Sequence, residues 1–251
     1  MSDWPFRLRS KLMIANIHTG DMLGNTRMIR RTMAATHARL RPDSPLRAPG
    51  RPKAAEGLDT REVLLRVGLQ LFATKGFAGV SVSEIAEAAG VSAPVIYQRF
   101  GSKAGLFVAV AEDVYARGLA YLGSMMTGVE RFDEALDLVL QGFADLYRMD
   151  RELTAMVLTV LVEVSRDEAI ANELQPTLRT FRAFFDGIAA LAPPEVAPDA
   201  RSRRDLSHAL VTMCSGLTSA AVMTPNAADY ERMVDVMRNF IRARTGESPG
   251  I

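Results

Sequence analysis

The stretch from residue 81 to residue 100 reads SVSEIAEAAGVSAPVIYQRF and holds two short helical segments around a glycine. A small residue, Ala86, lies in the first segment, Gly90 follows four residues later, and branched Ile96 comes six residues after that. Two helices that cross at a large angle after a tight turn need a small side chain at the crossing and apolar groups beneath it. The spacing predicts a helix-turn-helix. A purely structural corner between two helices is the alternative, because any short helical hairpin needs a turn glycine.

Local signals mark where both helices begin and end. Ser81 and Glu84 have the spacing of a capping box, in which hydroxyl and carboxylate each satisfy a free backbone N–H at the helix start. Gly90 is expected to end this helix, since glycine adopts the left-handed backbone of such a stop without strain. Ser92 is expected to cap the next helix, with Pro94 in its first turn, where a missing N–H costs nothing.

Helical periodicity extends on both sides of this motif. Upstream, a helix capped by Asp59 or Thr60 and ended by Gly76 is predicted from apolar residues at helical spacing: Val63, Leu64, Val67, Leu71 and Phe72. Downstream, a long amphipathic stretch follows Lys103. Turn-like separators such as Thr224-Pro225-Asn226 divide the remainder into predicted helices at residues 131–148, 151–165, 168–191, 201–224 and 227–244. No segment alternates with a period of two, so the fold class is all-α.

The composition favours a soluble globular protein. Of the 251 residues, 48% are hydrophobic and 24% are charged, which is an ordinary mixture for a packed core. Charged or amide side chains interrupt every apolar stretch before it reaches the roughly 20 residues that a membrane-spanning helix needs. Cys214 is the one cysteine, so neither an intrachain disulfide nor a cysteine-based metal cluster is expected. We expect a cytoplasmic protein with no cofactor, no metal and no membrane partner.

Charge is distributed unevenly along the chain. Residues 1–46, 47–103 and 104–251 carry net charges of +5, +3 and −7. A basic N-terminal part before an acidic body is expected when one end meets phosphate, although a solvated basic tail gives the same pattern. Residues 1–57 lack sustained periodicity and become rich in Pro, Arg and Gly, which predicts a flexible arm. Its segment Arg47–Lys53 is a candidate for phosphate or minor-groove contacts, or else a mobile charge run.

Residues 60–106 closely resemble the DNA-binding region of the tetracycline-repressor (TetR) family. The resemblance is carried by Leu71-Phe72 with Gly76-Phe77, by the helix-turn-helix at 81–100, and by Tyr97, Phe100 and Lys103 at three-residue spacing. It implies an N-terminal three-helix DNA-binding domain (58–104) and a C-terminal helical effector-binding and dimerisation domain (105–251). It also implies a homodimer that binds a palindromic operator in double-stranded DNA.

The resemblance further implies which residues meet DNA. The third helix would lie in the major groove, with these residues facing the bases: Ser92, Ala93, Pro94, Val95 and Gln98. Residues matching the family's phosphate contacts are Tyr97, Ser81 or Ser83, and Lys103. Ala93-Pro94-Val95 depart from the family, because many members have a basic or polar residue there. Base reading then depends on Gln98, Arg99, thymine methyl contacts and DNA shape. The alternative to a phosphate contact is a core aromatic in the case of Tyr97 and an ordinary solvated lysine in the case of Lys103.

By the same resemblance, the C-terminal domain dimerises and binds an effector. Methionine and aromatic side chains make adaptable apolar cavities. The candidates for lining such a cavity are Met125, Met126, Phe143, Tyr147, Met156, Phe181, Phe184, Phe185 and Met213. The alternative is that these residues are plain core. The last two helices are the expected dimer face, where small residues permit close approach: Ser215, Gly216, Ser219 and Ala220. An effector would shift the dimer between states whose paired DNA-binding domains sit at different separations.

We therefore expect a sequence-specific DNA-binding transcriptional regulator, a repressor released from its operator by a small apolar effector. The alternative is a DNA-binding protein without an effector that acts architecturally or through a protein partner, and it predicts a filled core between the middle helices. Catalysis is not expected. His18 and His37 fall in the arm, and His208 stands alone in the body without a recognisable nucleophile, phosphate loop or metal-ligand spacing.

Overall fold

A computed structural model of the chain describes residues 59–224 and 226–245, with side chains as far as Arg242. Those two ranges contain helices and no strand, as predicted. The helices are α1 (Thr60–Lys75), α2 (Val82–Ala88), α3 (Ala93–Phe100), α4 (Lys103–Met125), α5 (Phe132–Met149), α6 (Arg151–Val164), α7 (Glu168–Ala190), α8 (Ala200–Met223) and α9 (Ala227–Thr245). The predicted arm with Arg47–Lys53, and Pro225 of the last turn, lie outside the described residues.

Capping side chains place the helix starts of the C-terminal half within a residue of the predicted ones. Asp150 accepts a hydrogen bond from the backbone N–H of Leu153 at 2.8 Å. Asp167 does the same for Ala169 at 2.9 Å, and Asp199 for Ser202 at 2.7 Å. A carboxylate at this position satisfies a backbone donor that has no partner within the helix and also suits the helix dipole.

One hydrophobic core joins the helix-turn-helix region to the helices that follow it. Phe72 of α1 and Ile96 of α3 are fully buried, and they share this core with Phe107 of α4 and with Met156 and Val160 of α6. The predicted domain boundary at 104–105 falls within the first turn of α4, so this helix belongs to both parts. The DNA-binding region is therefore packed on the body through α1 as well as through its connecting helix.

Two arginines of α9 hold that helix against α5. The Arg238 guanidinium donates to both carboxylate oxygens of Asp137, at 2.8 and 2.6 Å, and Arg242 lies 2.9 Å from the same carboxylate. The hydrogen bond from Arg238 lowers the pKa of Asp137, with Arg242 adding to the effect. A buried tyrosine pair joins the same two helices further along, since the rings of Tyr147 on α5 and Tyr230 on α9 lie 4.6 Å apart.

Among the described helices, α8 is long and apolar enough to cross a membrane by length and composition, with 33% of its most apolar window buried. Core helices of soluble proteins meet the same criterion. The helix also begins with Arg201, Arg203 and Arg204, and it packs against α6 and α7. We conclude that α8 is a body helix whose C-terminal end leaves the apolar side chains of Val222 and Met223 exposed within the described part of the chain.

Gly68 permits the close contact between α1 and α4. A Cβ atom placed on Gly68 would lie 2.9 Å from Cγ2 of Val110, which is itself fully buried. A valine in a helix has one strongly preferred rotamer, so Val110 cannot turn aside cheaply. The glycine therefore sets how near the two helices come.

We predict that Gly68→Val lowers the free energy of unfolding by about 1–3 kcal/mol, because it overpacks this contact. Gly123→Ala is the matched control, since Gly123 is an exposed residue of α4 and its added Cβ would meet nothing within 4 Å. That control should gain up to about 1 kcal/mol from helix propensity. Urea unfolding followed by circular dichroism measures both, and equal changes in the two variants would contradict the packing argument.

Candidate nucleic-acid interface

The turn between α2 and α3 has the predicted helix-turn-helix geometry. Gly90 has a φ of +66°, and the N–H of Val91 donates to the carbonyl of Ala86 at 2.9 Å, closing the end of α2. Ala86 is 4% exposed at the helix crossing, and Ile96 is fully buried beneath it. The predicted roles of the small residue, the turn glycine and the branched residue are all confirmed. We call residues 59–103, which contain this motif and α1, the reading head.

The Ser81 half of the predicted capping box at the start of α2 is also confirmed. The hydroxyl of Ser81 accepts from the backbone N–H of Glu84 at 3.1 Å. The pKa of Glu84 is lowered, chiefly by the hydrogen bond it accepts from Lys75 and in smaller part by the backbone N–H of Ser81. Ser81 and Ser83 are both exposed in this turn. Of the two serines predicted to meet phosphate, Ser81 also caps α2.

The expectation that the Ser92 side chain caps α3 is wrong, although Ser92 does occupy the capping position. Pro94 has no N–H to offer, and the N–H of Val95 donates to the backbone carbonyl of Ser92 at 2.9 Å. The first turn therefore leaves the Ser92 hydroxyl without a capping bond. Ser92 is exposed, so its hydroxyl is available to a ligand of the reading head.

Helix α3 separates its predicted DNA contacts into two groups. Pro94, Tyr97 and Gln98 are exposed at helical spacing on one face, and Tyr97 is 51% exposed. Ala93 and Val95 are half-buried and pack against the core. Tyr97 is therefore a surface residue in this structure, not the core aromatic of the alternative interpretation.

Arg99 is exposed beside this face. One nitrogen of its guanidinium lies 3.8 Å from a carboxylate oxygen of Asp59, at the start of α1. Both side chains are exposed, so this ion pair is weak. The guanidinium therefore remains free to turn toward a phosphate or a base.

Lys103 has a structural task that neither of its two predicted interpretations included. Its ammonium donates to the carbonyls of Phe77 and Val80, both at 2.9 Å, and lies 4.3 Å from the centre of the Phe77 ring. The Phe77 ring in turn packs edge-on against Phe107 at 5.1 Å. Lys103 thereby joins the α1–α2 connection to the start of α4. One of its three N–H groups remains for a phosphate.

We predict that Lys103→Met lowers the free energy of unfolding by about 1–3 kcal/mol, because the carbonyl of buried Val80 loses its donor. Lys75→Met is the control. Lys75 forms an exposed ion pair with Glu84, and such pairs contribute about 0–1 kcal/mol. Urea unfolding gives the two changes. Comparable small losses in both variants would show that Lys103 is an ordinary solvated lysine.

The nine residues predicted to line an effector site lie in the packed interior of the body. Met126, Tyr147, Met156, Phe184 and Phe185 are buried, and Met125, Phe143, Phe181 and Met213 are half-buried. Aromatic contacts run from Tyr115 to Phe181 at 5.3 Å, from Phe181 to Phe185 at 5.1 Å, and from Phe185 to Phe184 at 5.3 Å. Tyr147 lines a cavity of about 240 Å³ beside α1, and the other eight candidates do not.

The small residues predicted for the dimer face lie on α8. Ser215 and Ser219 donate their hydroxyls to carbonyls of the same helix, at 3.0 and 3.1 Å, so these hydroxyls need no partner elsewhere. A Cβ on Gly216 would meet nothing within 4 Å, and Ala220 is half-buried. Apolar side chains that the sequence analysis did not include are exposed on α8 and α9: Met223 at 84%, Val236 at 67% and Phe240 at 66%.

Comparison with known proteins supports this architecture. The family described as bacterial regulatory proteins, tetR family, matches residues 64–110, and the C-terminal region of the BetI-type transcriptional repressors matches residues 132–246. The chain is 34% identical over 120 residues to the HTH-type transcriptional repressor BdcR of Escherichia coli K12, an alignment that covers 48% of each protein. It is 27% identical to the HTH-type transcriptional regulator AlkX of Mycobacterium tuberculosis H37Rv, covering 71% of this chain and 82% of AlkX.

A solved structure shows the same fold. FadR from Bacillus subtilis, determined in complex with stearoyl-CoA, superposes with a TM-score of 0.57 at 17% identity, covering 70% of this chain and 96% of FadR. The described chain is thus a helix-turn-helix protein with a helical body. It belongs to the TetR family of bacterial regulatory proteins, as the resemblance of residues 60–106 indicated. Its alignment spans about half the length of BdcR and more than two thirds of AlkX.

Proposed function

We propose that this protein is a sequence-specific DNA-binding transcriptional regulator, a repressor that binds a palindromic operator as a homodimer and is released by a small apolar effector. The observation that carries the proposal is the exposed face of α3, where Pro94, Tyr97 and Gln98 face solvent on a helix whose other side is fixed in the core. Membership of the TetR family supports it, as do the regulatory names of BdcR and AlkX.

The groups on this face suit the major groove chemically. The Gln98 amide can donate and accept at once, as recognition of an adenine edge requires, and Pro94 offers an apolar surface to a thymine methyl. The hydroxyls of Ser83, Ser92 and Tyr97 suit phosphate oxygens, which fix position more than sequence. Since few side chains can reach base edges, the shape and deformability of the DNA contribute to specificity.

A two-fold dimer through α8 and α9 supplies the second reading head that a palindrome needs. Three exposed apolar side chains support this face: Met223, Val236 and Phe240. The open approach at Gly216 supports close packing of α8 against a second copy. Burial of large apolar groups around small residues is the usual energetic centre of such an interface.

One feature of the helical body supports binding of a small effector, and another opposes it. FadR was solved with stearoyl-CoA, so the shared fold can hold a small molecule. The rings of Phe181, Phe184 and Phe185 instead pack against one another, and Phe181 also packs against Tyr115 of α4. That packing favours the second candidate function, a DNA-binding protein that acts without an effector, unless binding opens the core or uses another cavity.

We propose no catalytic activity for this chain. His208 lies 3.4 Å from Arg182 on the surface of the body, and burial raises the pKa of the Cys214 thiol, which keeps it protonated. Within residues 59–224 and 226–245, no group of His, Cys, Asp and Glu side chains is arranged to hold a metal ion. The described part therefore offers no metal site on which catalysis could be proposed.

We predict that the purified protein binds DNA from upstream of its own gene in a salt-sensitive manner, and more tightly than random DNA. Gln98→Ala should weaken operator binding about tenfold or more and leave random-DNA binding unchanged, because it removes a base contact. Gln175→Ala, an exposed glutamine of α7, is the control. Fluorescence anisotropy measures all of these. Equal affinity for upstream and random DNA would show that the protein does not regulate transcription by binding upstream of its own gene.

We predict that Phe240→Glu weakens the homodimer by more than about tenfold, because a charge would be buried without a partner. Val196→Glu is the control, since Val196 is an apolar residue, 49% exposed, in the α7–α8 connection. Sedimentation equilibrium gives the dissociation constants. If the Phe240 variant dimerises like the control, the interface lies elsewhere.

A further inference from the structure

A cavity of about 240 Å³ lies where the reading head meets the body. Ala73 and Thr74 at the end of α1 form one side, and α5, α6 and α8 form the others. Much of its wall is small and apolar: Ala73, Ala155, Ala221 and Val222. This cavity is separate from the aromatic interior that the sequence suggested as the effector site, and it shares only Tyr147 with that set.

Its polar side is formed by Arg151 and Tyr147. The Arg151 guanidinium donates to the Tyr147 hydroxyl at 2.6 Å and lies 5.0 Å from the centre of the Tyr147 ring. Among the described residues, Arg151 makes no ion pair with a carboxylate, unlike Arg117, Arg148 and Arg238 of the same body. The ring contact holds the guanidinium beside Tyr147, and most of its N–H groups remain available.

Thr154 adds a further polar group to the cavity wall. It is 8% exposed and lines the cavity, yet its hydroxyl has no hydrogen bond within the described residues. Thr159 and Thr218, on neighbouring helices, donate to the carbonyl four residues earlier, at 3.2 and 3.0 Å. The Thr154 hydroxyl is not among the buried groups without a partner, so it is left to water or to a ligand in the cavity.

We propose that this cavity binds a small monocarboxylate with a short apolar body. The planar guanidinium of Arg151 matches a carboxylate in two-point geometry, and the hydroxyls of Thr154 and Tyr147 can donate to the same oxygens. The alanine and valine wall accepts the apolar part. Glu152 also lines the cavity, so a second negative charge on the ligand would be repelled, which favours a carboxylate over a phosphate dianion.

Such a ligand would touch α1 of the reading head and α6 and α8 of the body together. A bound ligand would therefore change how α1 packs on the body. Regulation of DNA binding requires a ligand that makes better contacts in one state of the protein than in the other. This regulatory part depends on the proposed function, whereas the binding site does not.

The test is calorimetric titration of the full chain with hexanoate, and with hexanamide as the uncharged probe of the same shape. Hexanoate should bind at least about tenfold more tightly than hexanamide, and Arg151→Gln should remove that preference. Thr154→Val, which keeps the shape of the side chain, should weaken hexanoate severalfold. Arg166→Gln changes an exposed arginine in the connection between α6 and α7; it is the matched control and should bind like the unaltered protein.

Circular dichroism confirms that each variant is folded before titration. Absence of hexanoate binding, equal binding of hexanamide, or equal binding by the Arg151 variant would overturn the site. A second titration, of operator DNA with and without hexanoate, tests the regulatory part. Hexanoate binding with unchanged operator affinity would overturn regulation alone, and absence of any operator binding would overturn the proposed function while the site stands.

Discussion

Phe72 is the residue on which the rest of the described structure most depends. Its ring is fully buried, 5.2 Å from Phe107 and 6.1 Å from Phe77. Its backbone carbonyl accepts from the N–H of Gly76 at 3.0 Å and lies 3.5 Å from the hydroxyl of Thr159 on α6. One residue thus ends α1, anchors the α1–α2 connection and holds the reading head to the body. Because packed interiors resist gradual deformation, displacement of α1 would be transmitted to α4 and α6 together.

Features with local causes could be predicted from the sequence. The capping carboxylates, the box at Ser81 and the left-handed stop at Gly90 each involve residues within about five positions of one another, so spacing alone reveals them. The failed cap at Ser92 is also local in origin, since Pro94 offers no N–H and the N–H of Val95 donates to the Ser92 carbonyl instead of to the hydroxyl.

Tertiary contacts could not be predicted in the same way. The carbonyls that accept from Lys103 belong to residues more than twenty positions away, and no periodicity indicates which lysine will reach them. The environment of Thr154 depends on α1, α6 and α8 meeting at one point. Composition indicated that methionine and aromatic residues of the body either line a cavity or form plain core. It could not distinguish a cavity wall from a filled core, because both need the same residue types.

The exposed apolar face of α8 and α9 has a consequence for how the chain exists in dilute solution. Met223, Val236 and Phe240 present hydrocarbon to water in the isolated chain, and pairing through this face would remove it. Assembly and thermal stability would then be linked by mass action, so that the melting temperature rises with protein concentration. The intracellular abundance of such a regulator would set both how much of it is paired and how long each copy resists unfolding and proteolysis.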